Sequence, residues 1–372
     1  MAELQTATAD FVDRVLLPAE AEAESTGQVP PAVIEAMKAM GVFGLRIPTA
    51  FGGLGLDVVA YVRLLEELGR AHAAFRSLIQ LNNGMGSRCL VTHGTDEQKQ
   101  RYLPGLAGGD LISAFALSEP EAGSDAASIQ LRAERRGDGY VLQGVKHFVT
   151  NAPLADCVTL LARTGEARGA EGTSLFIVDR NTPGMEILRI QRTMGPEAYQ
   201  QAELAFDDCP IPATQRIGPE GAGLRIALGG LTEGRVALAM ACVGAGRRLL
   251  DEARRHAEAR VQFGKPIVER QAIRFMLADM AVDLFAARAA TMAAARQLRG
   301  QSDAGQAASM AKLVASEAVG RIADRAVQIG GAMGYARDLP IERIFREARL
   351  YRILEGTSEI QRLIIARQLL QS

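Results

Sequence analysis

Apolar and polar positions follow helical spacing in the first and last parts of this chain and alternate in short runs between them. From residue 1 to 112 the pattern predicts helices with readable ends. Pro30 and Pro31 suit a first helical turn, Gly41 stops "AVIEAMKAM", and Thr95 with Gln98 three residues later forms a capping-box pattern. Between 113 and 225 the runs "DGYVLQGVKHFVTN", "CVTLLAR", "TSLFIVDR" and "AELAFDD" predict strands, with Asp138-Gly139 as a hairpin turn. From 226 to 372 the chain is Ala-rich and helical again. Ile273, Met276, Leu277, Met280 and Leu284 recur at three- and four-residue spacing, which favours a close-packed bundle. The expected fold class is α+β, mainly α: an N-terminal helical domain, a small central antiparallel β domain and a C-terminal helical domain, packed as one body.

Composition narrows the partners. The 372 residues are 48% hydrophobic and 23% charged, ordinary for a soluble globular protein. A net charge of −1, with no Lys/Arg block, argues against nucleic acid and anionic membranes as partners. Cys89, Cys157, Cys209 and Cys242 are far apart and lack metal-ligand spacing, so they read as reduced, mostly buried thiols. Glu3, Asp10 and Asp13 near the N-terminus do not fit a signal peptide, and uncharged runs such as "VALAMACVGAG" (Val236 to Gly246) fall short of a membrane span. A cytoplasmic location, without a membrane, is the expectation.

Several common chemistries lack an anchor. There is no GxSxG elbow and no P-loop, and His72, His93, His147 and His256 show no paired spacing for zinc. "GGLGLD", "GPEGAGL" and "GAGRRL" each lack the third glycine of a dinucleotide fingerprint, so a nucleotide cofactor would not bind through a Rossmann unit.

Two segments stand out. "ALSEPEAGSD" (Ala116 to Asp125) collects hydroxyls and acids where the β region begins. It reads either as a polar loop capping a strand or as a cradle of hydroxyls and backbone N–H groups for a heterocycle or phosphate. "LEGTSEIQ" (Leu354 to Gln361) puts a carboxylate, a glycine and two hydroxyls into a run rich in Ile, Leu and Arg. It reads as a helix start capped by Thr357 or Ser358, or as a site.

Those two segments, with "PTAFGGLGLD" (Pro48 to Asp57), "KHFVTN" (Lys146 to Asn151), "RVQFGKPIVERQAI" (Arg260 to Ile273) and "AVQIGGAMGYARDLPIERIFREARLYRILEGTSEIQ" (Ala326 to Gln361), resemble the acyl-CoA dehydrogenase family in order and approximate spacing. The resemblance spans nearly the whole chain. It implies a helical domain over 1–112, a β domain over 113–225 and a four-helix bundle over 226–372, with FAD between them. It also implies an oxidoreductase of fatty acid metabolism that removes two hydrogens from an acyl-CoA to give a trans-2-enoyl-CoA. A base takes the α proton, flavin N5 accepts the β hydride, and electrons pass to electron-transferring flavoprotein.

Residue roles follow from the same resemblance. Glu355 matches the base, and a carboxylate in an apolar pocket has the raised pKa this role needs. Gly356 gives substrate and cofactor close approach to the backbone. Thr357 and Glu359 match FAD contacts. Phe115, Leu117, Ser118 and Ser124 would line the flavin and the start of the CoA arm, and Phe148, Val149 and Thr150 would lie against the ring system, although pattern alone assigns Phe148 and Val149 to the core. Arg235 matches a residue at the acyl site. Arg260, Phe263 and Gln271, with Gln328, Ile329, Gly330, Gly331 and Ala332, match positions that reach the FAD of a neighbouring subunit, so a homotetramer, a dimer of dimers, is expected.

Some relatives carry the base immediately before the arginine matching Arg235. Here that residue is Gly234, and Glu233 is about 100° away around the helix, so a single base is expected. Departures from the family pattern gather at acyl and cofactor contacts: Phe148 for a frequent Trp, Ala332 for a second small Gly or Ser, "PEAYQQAEL" (Pro196 to Leu204), Thr232 for Asp or Asn, and Leu354 for Tyr. They leave open a carrier-protein thioester as substrate. An acyl-thioester oxidase or a flavin monooxygenase on the same fold is the alternative activity.

Overall fold

The computed structural model describes residues 1–166, 169–300 and 304–371. Seven helices come first: α1 (Ala2–Phe11), α2 (Glu20–Thr26), α3 (Pro31–Met40), α4 (Val58–Leu68), α5 (Ala73–Asn83), α6 (Met85–His93) and α7 (Asp96–Gly108). Their ends follow local chemistry. Pro31 opens α3 and Gly41 closes it at φ 71°, a left-handed angle that suits glycine. Thr95 and Gln98 form the reciprocal capping box of α7, and the Asp57 side chain accepts the Ala60 N–H at 2.8 Å at the start of α4.

Strands β1 (Ser113–Ala116), β2 (Arg132–Arg136), β3 (Gly139–Thr150), β4 (Cys157–Arg163), β5 (Thr173–Asp179), β6 (Met185–Ile190), β7 (Gln201–Pro212) and β8 (Arg216–Ile217) make one eight-stranded sheet. Its order is β6-β7-β3-β2-β4-β5-β8, with β1 attached to β4. Pairing is antiparallel except for β1 with β4 and a single β2–β4 pair, which are parallel. The β2–β3 turn lies one residue earlier than expected. Arg136 pairs with Gly139, leaving Gly137-Asp138 as the two-residue turn, with Gly137 at φ 59°. Gly139 is instead a ladder residue whose added β-carbon would lie 2.5 Å from the Ile211 carbonyl oxygen.

The chain then runs into α8 (Gly223–Ala259), a hairpin of β9 (Val261–Gln262) and β10 (Lys265–Pro266), α9 (Gln271–Gly300), α10 (Gly305–Gly330), α11 (Ala332–Tyr335), α12 (Pro340–Leu350) and α13 (Ser358–Gln371). Helices α8, α9, α10 and α13 form the bundle, with α10 packed on each of the other three. By length and composition α8 is apolar enough to cross a membrane, but most of that stretch is buried inside the protein.

Small residues let α8 tie the parts together. An added β-carbon on Gly223 would meet the Ser174 backbone at 2.5 Å in β5, and one on Gly244 would meet the Glu66 carbonyl at 2.4 Å in α4. One apolar core accordingly runs from Phe11, Leu64 and Leu78 through Val236 and Met240 to Ile322 and Ile344. Each such large side chain contributes roughly 1.5–3 kcal/mol on burial. The β sheet has its own core around Tyr140, Phe176 and Phe206. All four cysteines are free and buried.

Candidate active site

Between α12 and α13 the chain makes a turn through Tyr351 to Gly356. Thr357 Oγ1 accepts the Ile360 N–H at 3.3 Å, so the capping role proposed for this segment is real. The residues before it do something no cap requires. Glu355 has φ 56° and Gly356 has φ 92°, and a non-glycine residue held there costs on the order of 1–3 kcal/mol. Three buried side chains hold the turn. Arg235 Nε donates to the Glu355 carbonyl at 3.3 Å, Lys312 Nζ donates to the Gly356 carbonyl at 2.8 Å, and Gln361 Nε2 donates to both, at 3.2 and 2.9 Å.

This geometry aims the Glu355 side chain inward. Its Oε2 is sealed from solvent without a hydrogen-bond partner among the described residues. Burial pushes its carboxyl up to about 7, against the opposing pull of Arg235, Lys312 and Arg76. The carboxylate lies against α8 at Gly234, where an added β-carbon would be 2.9 Å from Oε2. One turn earlier on the same face, Gly230 faces Met85 and Cys89 of α6, with an added β-carbon 2.9 and 3.7 Å from their sulfurs. Glycines at 230 and 234 thus let α8 lie close against the Glu355 carboxylate and the sulfurs of Met85 and Cys89.

Glu233 points elsewhere. Arg46 and Arg88 hold its two oxygens at 2.7 and 2.9 Å, and these guanidiniums keep its carboxyl below the ordinary value despite burial. Arg76, from α5, pairs with Glu347 at 2.9 Å and also bonds Gln80 and Tyr351. The buried Tyr61 hydroxyl has no hydrogen-bond partner among the described residues.

At the edge of the β domain, half-buried Phe115 lies in β1, and the loop after it carries half-buried Leu117 and Ser118 and exposed Ser124. Beneath it, the fully buried Lys146 bonds the Leu117 carbonyl at 2.9 Å and Glu119 at 2.8 Å, while Glu119 accepts the N–H groups of Gln130 and Leu131. Burial lowers Lys146 to about 8, against the pull of Glu119. In β3, Val149 is buried but Phe148 is 57% exposed at φ 54°, beside a register shift between Lys146 and Val149. Its presented ring is therefore not core filling.

Five non-glycine residues have positive φ among those described: Phe148, Asn151, Asp208, Phe263 and Glu355. Three of these were singled out from the sequence as site residues, and Asn151 adjoins Thr150. Strain held in this way concentrates where geometry serves function rather than packing.

The remaining expected cofactor residues form a second group. Gly246 of α8 faces Leu284 of α9 and Val319 and Ile322 of α10, so α8 and α10 run the same way from Arg235 and Lys312. Arg260, Phe263, Gln271 and Gln328 to Ala332 consequently gather at the opposite end of the bundle. At about 1.5 Å per residue, Arg260 is roughly 38 Å along α8 from Arg235. The Arg260 guanidinium has no hydrogen-bond or ion-pair partner among the described residues, Phe263 is 93% exposed, and Gly331 has φ 55° with open space where a side chain would be. The Phe263 ring has the Arg270 guanidinium over it at 5.8 Å; an unpaired guanidinium, an exposed aromatic ring and an open glycine suit a pyrophosphate and a planar heterocycle. Glu359 lies at the exposed start of α13, with Arg362 3.8 Å away.

Sequence reading did not single out Lys312, Arg76 or Gln361. Lys312 had a signal: it is the one charge in "AASMAKLVAS", a stretch otherwise small or apolar.

Family models match the chain in three successive segments: the acyl-CoA dehydrogenase N-terminal domain over residues 2–110, the middle domain over 114–209 and the C-terminal domain over 221–370. The chain belongs to the acyl-CoA dehydrogenase family, FAD-dependent oxidoreductases acting on a CH–CH group. It is 40% identical over 361 residues to an acyl-CoA dehydrogenase of Bacillus subtilis, covering 97% of this chain and 95% of that protein. It is 37% identical over 350 residues to subunit CarC of the caffeyl-CoA reductase–Etf complex of Acetobacterium woodii, covering 94% and 92%. The solved structure of butyryl-CoA dehydrogenase from Megasphaera elsdenii superposes with a TM-score of 0.95 at 33% identity, covering 99% and 97%.

Proposed function

We propose that this enzyme removes the α proton and β hydride of an acyl-CoA to form the trans-2-enoyl-CoA, with Glu355 as the base. The observation that carries this reading is the Glu355 carboxyl, pushed up to about 7 by burial, its Oε2 without a hydrogen-bond partner among the described residues and packed against α8 at Gly234. FAD, when bound, supplies the acceptor for the hydride.

The chain's own residues divide the remaining work. Glu355 forms a bond to the α proton as the Cα–H bond breaks, and that electron pair becomes part of the new C=C bond. Arg235 and Gln361 hold the backbone of the base. Phe148 offers a flat face, and Thr150 follows two residues later in the same strand. The second residue group, too far along α8 to serve the same chain's site, supports a homotetramer in which Arg260 and its neighbours complete a partner's FAD site. Electron-transferring flavoprotein is the acceptor we infer, supported by the relative in an Etf complex. A reduced-thiol, cytoplasmic setting suits the four free cysteines.

The test is anaerobic titration of the yellow holoenzyme with saturated acyl-CoAs, for wild type and Glu355→Gln. Bleaching in wild type and its loss in the variant is expected. A wild type that no acyl-CoA bleaches would overturn the reading.

A further inference from the structure

We infer that Lys312 is a positioning residue for the base, holding the Glu355–Gly356 turn and lending the charge that keeps the carboxylate accessible. This inference rests on Glu355 being the base. Lys312 is fully buried, and its amine is bonded to the Gly356 carbonyl at 2.8 Å. No carboxylate lies within ion-pair distance of that amine among the described residues. A buried ammonium without a carboxylate partner is costly, so it is retained where its charge has another use.

The groups facing Glu355 make that use specific. From α8 come Arg235 and Cys242, from α5 Arg76, from α4 Tyr61, from α10 Lys312, and from the β domain Tyr199. Burial raises Tyr61, Tyr199 and Cys242, which keeps all three neutral. Arg76 is matched by Glu347 at 2.9 Å. Burial lowers Arg235 and Lys312 while Glu355 pulls both back up, with Glu317 also favouring the charge on Lys312; neither cation has a carboxylate within ion-pair distance among the described residues, and both bond carbonyls of the strained turn. Lys312 therefore acts on the base through the backbone, by holding φ at residues 355 and 356, and through space, by favouring the ionised carboxylate.

The experiment uses holoenzyme of wild type, Lys312→Met and Lys312→Gln. The rate of anaerobic flavin reduction by acyl-CoA is followed against pH, and the Glu355 carboxyl band is titrated by infrared difference spectroscopy, assigned by its loss in Glu355→Gln. In Lys312→Met the pH midpoint of both readouts should rise by about one unit or more, and the rate at pH 7 should fall at least about fivefold. Lys312→Gln retains a donor to the carbonyl without the charge. It should show the same rise in midpoint, with a limiting rate at high pH above that of Lys312→Met. Wild-type midpoints in either variant would overturn the inference. A wild type that acyl-CoA does not bleach would instead be a failure of the base assignment itself.

Discussion

Gly234 and the Glu355 carboxylate share one space: an added β-carbon on Gly234 would lie 2.9 Å from Oε2, closer than real contacts allow. Gly234→Ala should therefore displace the carboxylate while sparing the fold, since alanine is the better helix former. Flavin reduction by acyl-CoA should slow by about ten- to a hundredfold with FAD content unchanged, because misplacement of this order costs about that much. Stopped-flow spectroscopy checks the rate and the visible spectrum checks the cofactor.

Glu233 is adjacent in sequence yet engaged by Arg46 and Arg88. Glu233→Gln should lower stability by about 3 kcal/mol, because it removes the charge that compensates two partly buried guanidiniums. Bleaching by acyl-CoA should survive, measured beside denaturant unfolding of the same variant. Loss of bleaching in a folded, yellow protein would make Glu233 a participant.

The pH dependence has a defined sign. Burial raises the Glu355 carboxyl from its ordinary 4.5 to about 7, so the folded state holds the proton more tightly than the unfolded chain. The stability this contributes is full below about 4.5 and is lost as pH rises toward 7, by up to about 3 kcal/mol. Glu355→Gln, which stays neutral, should match wild type at pH 4.5 and exceed it by roughly that amount at pH 8.5 in urea unfolding. Turnover should move the other way, rising through pH 7 as the base ionises.

How much of this was legible beforehand follows from where the interactions lie. Thr95 with Gln98, Pro31 and Gly41 act within a few residues, so their helix ends could be read directly. The β2–β3 turn was misplaced by one residue because Asp138-Gly139 satisfies the turn preference as well as Gly137-Asp138. The register was decided by pairing of β3 with β7, which places Gly139 opposite Pro212. Glu355 stood out through motif resemblance, yet its clamp did not. Arg235, Lys312 and Gln361 come from three helices up to 126 positions apart, and no local pattern joins them. Phe148 shows the opposite case: pattern alone assigned it to the core, against the motif resemblance, and the bend in β3 turned it outward.

Separation of the two cofactor groups gives a complementation experiment. Glu355→Gln chains lack the proposed base, and Arg260→Met chains lack the guanidinium at the far end of α8. Each should be inactive or strongly impaired alone. Co-expressed, they should regain activity, because some sites then combine an intact base with a partner's intact Arg260. Mixed oligomers no more active than the parents would contradict a shared site.

The most direct measurement is exchange of the substrate's α hydrogens with solvent. Holoenzyme is incubated anaerobically in D2O with a saturated acyl-CoA that bleaches it, and the recovered thioester is analysed by mass spectrometry. If Glu355 is the base, wild type and Glu233→Gln will introduce deuterium at the α carbon and Glu355→Gln will not. Undiminished exchange by Glu355→Gln would show that another group removes the proton and would contradict the account.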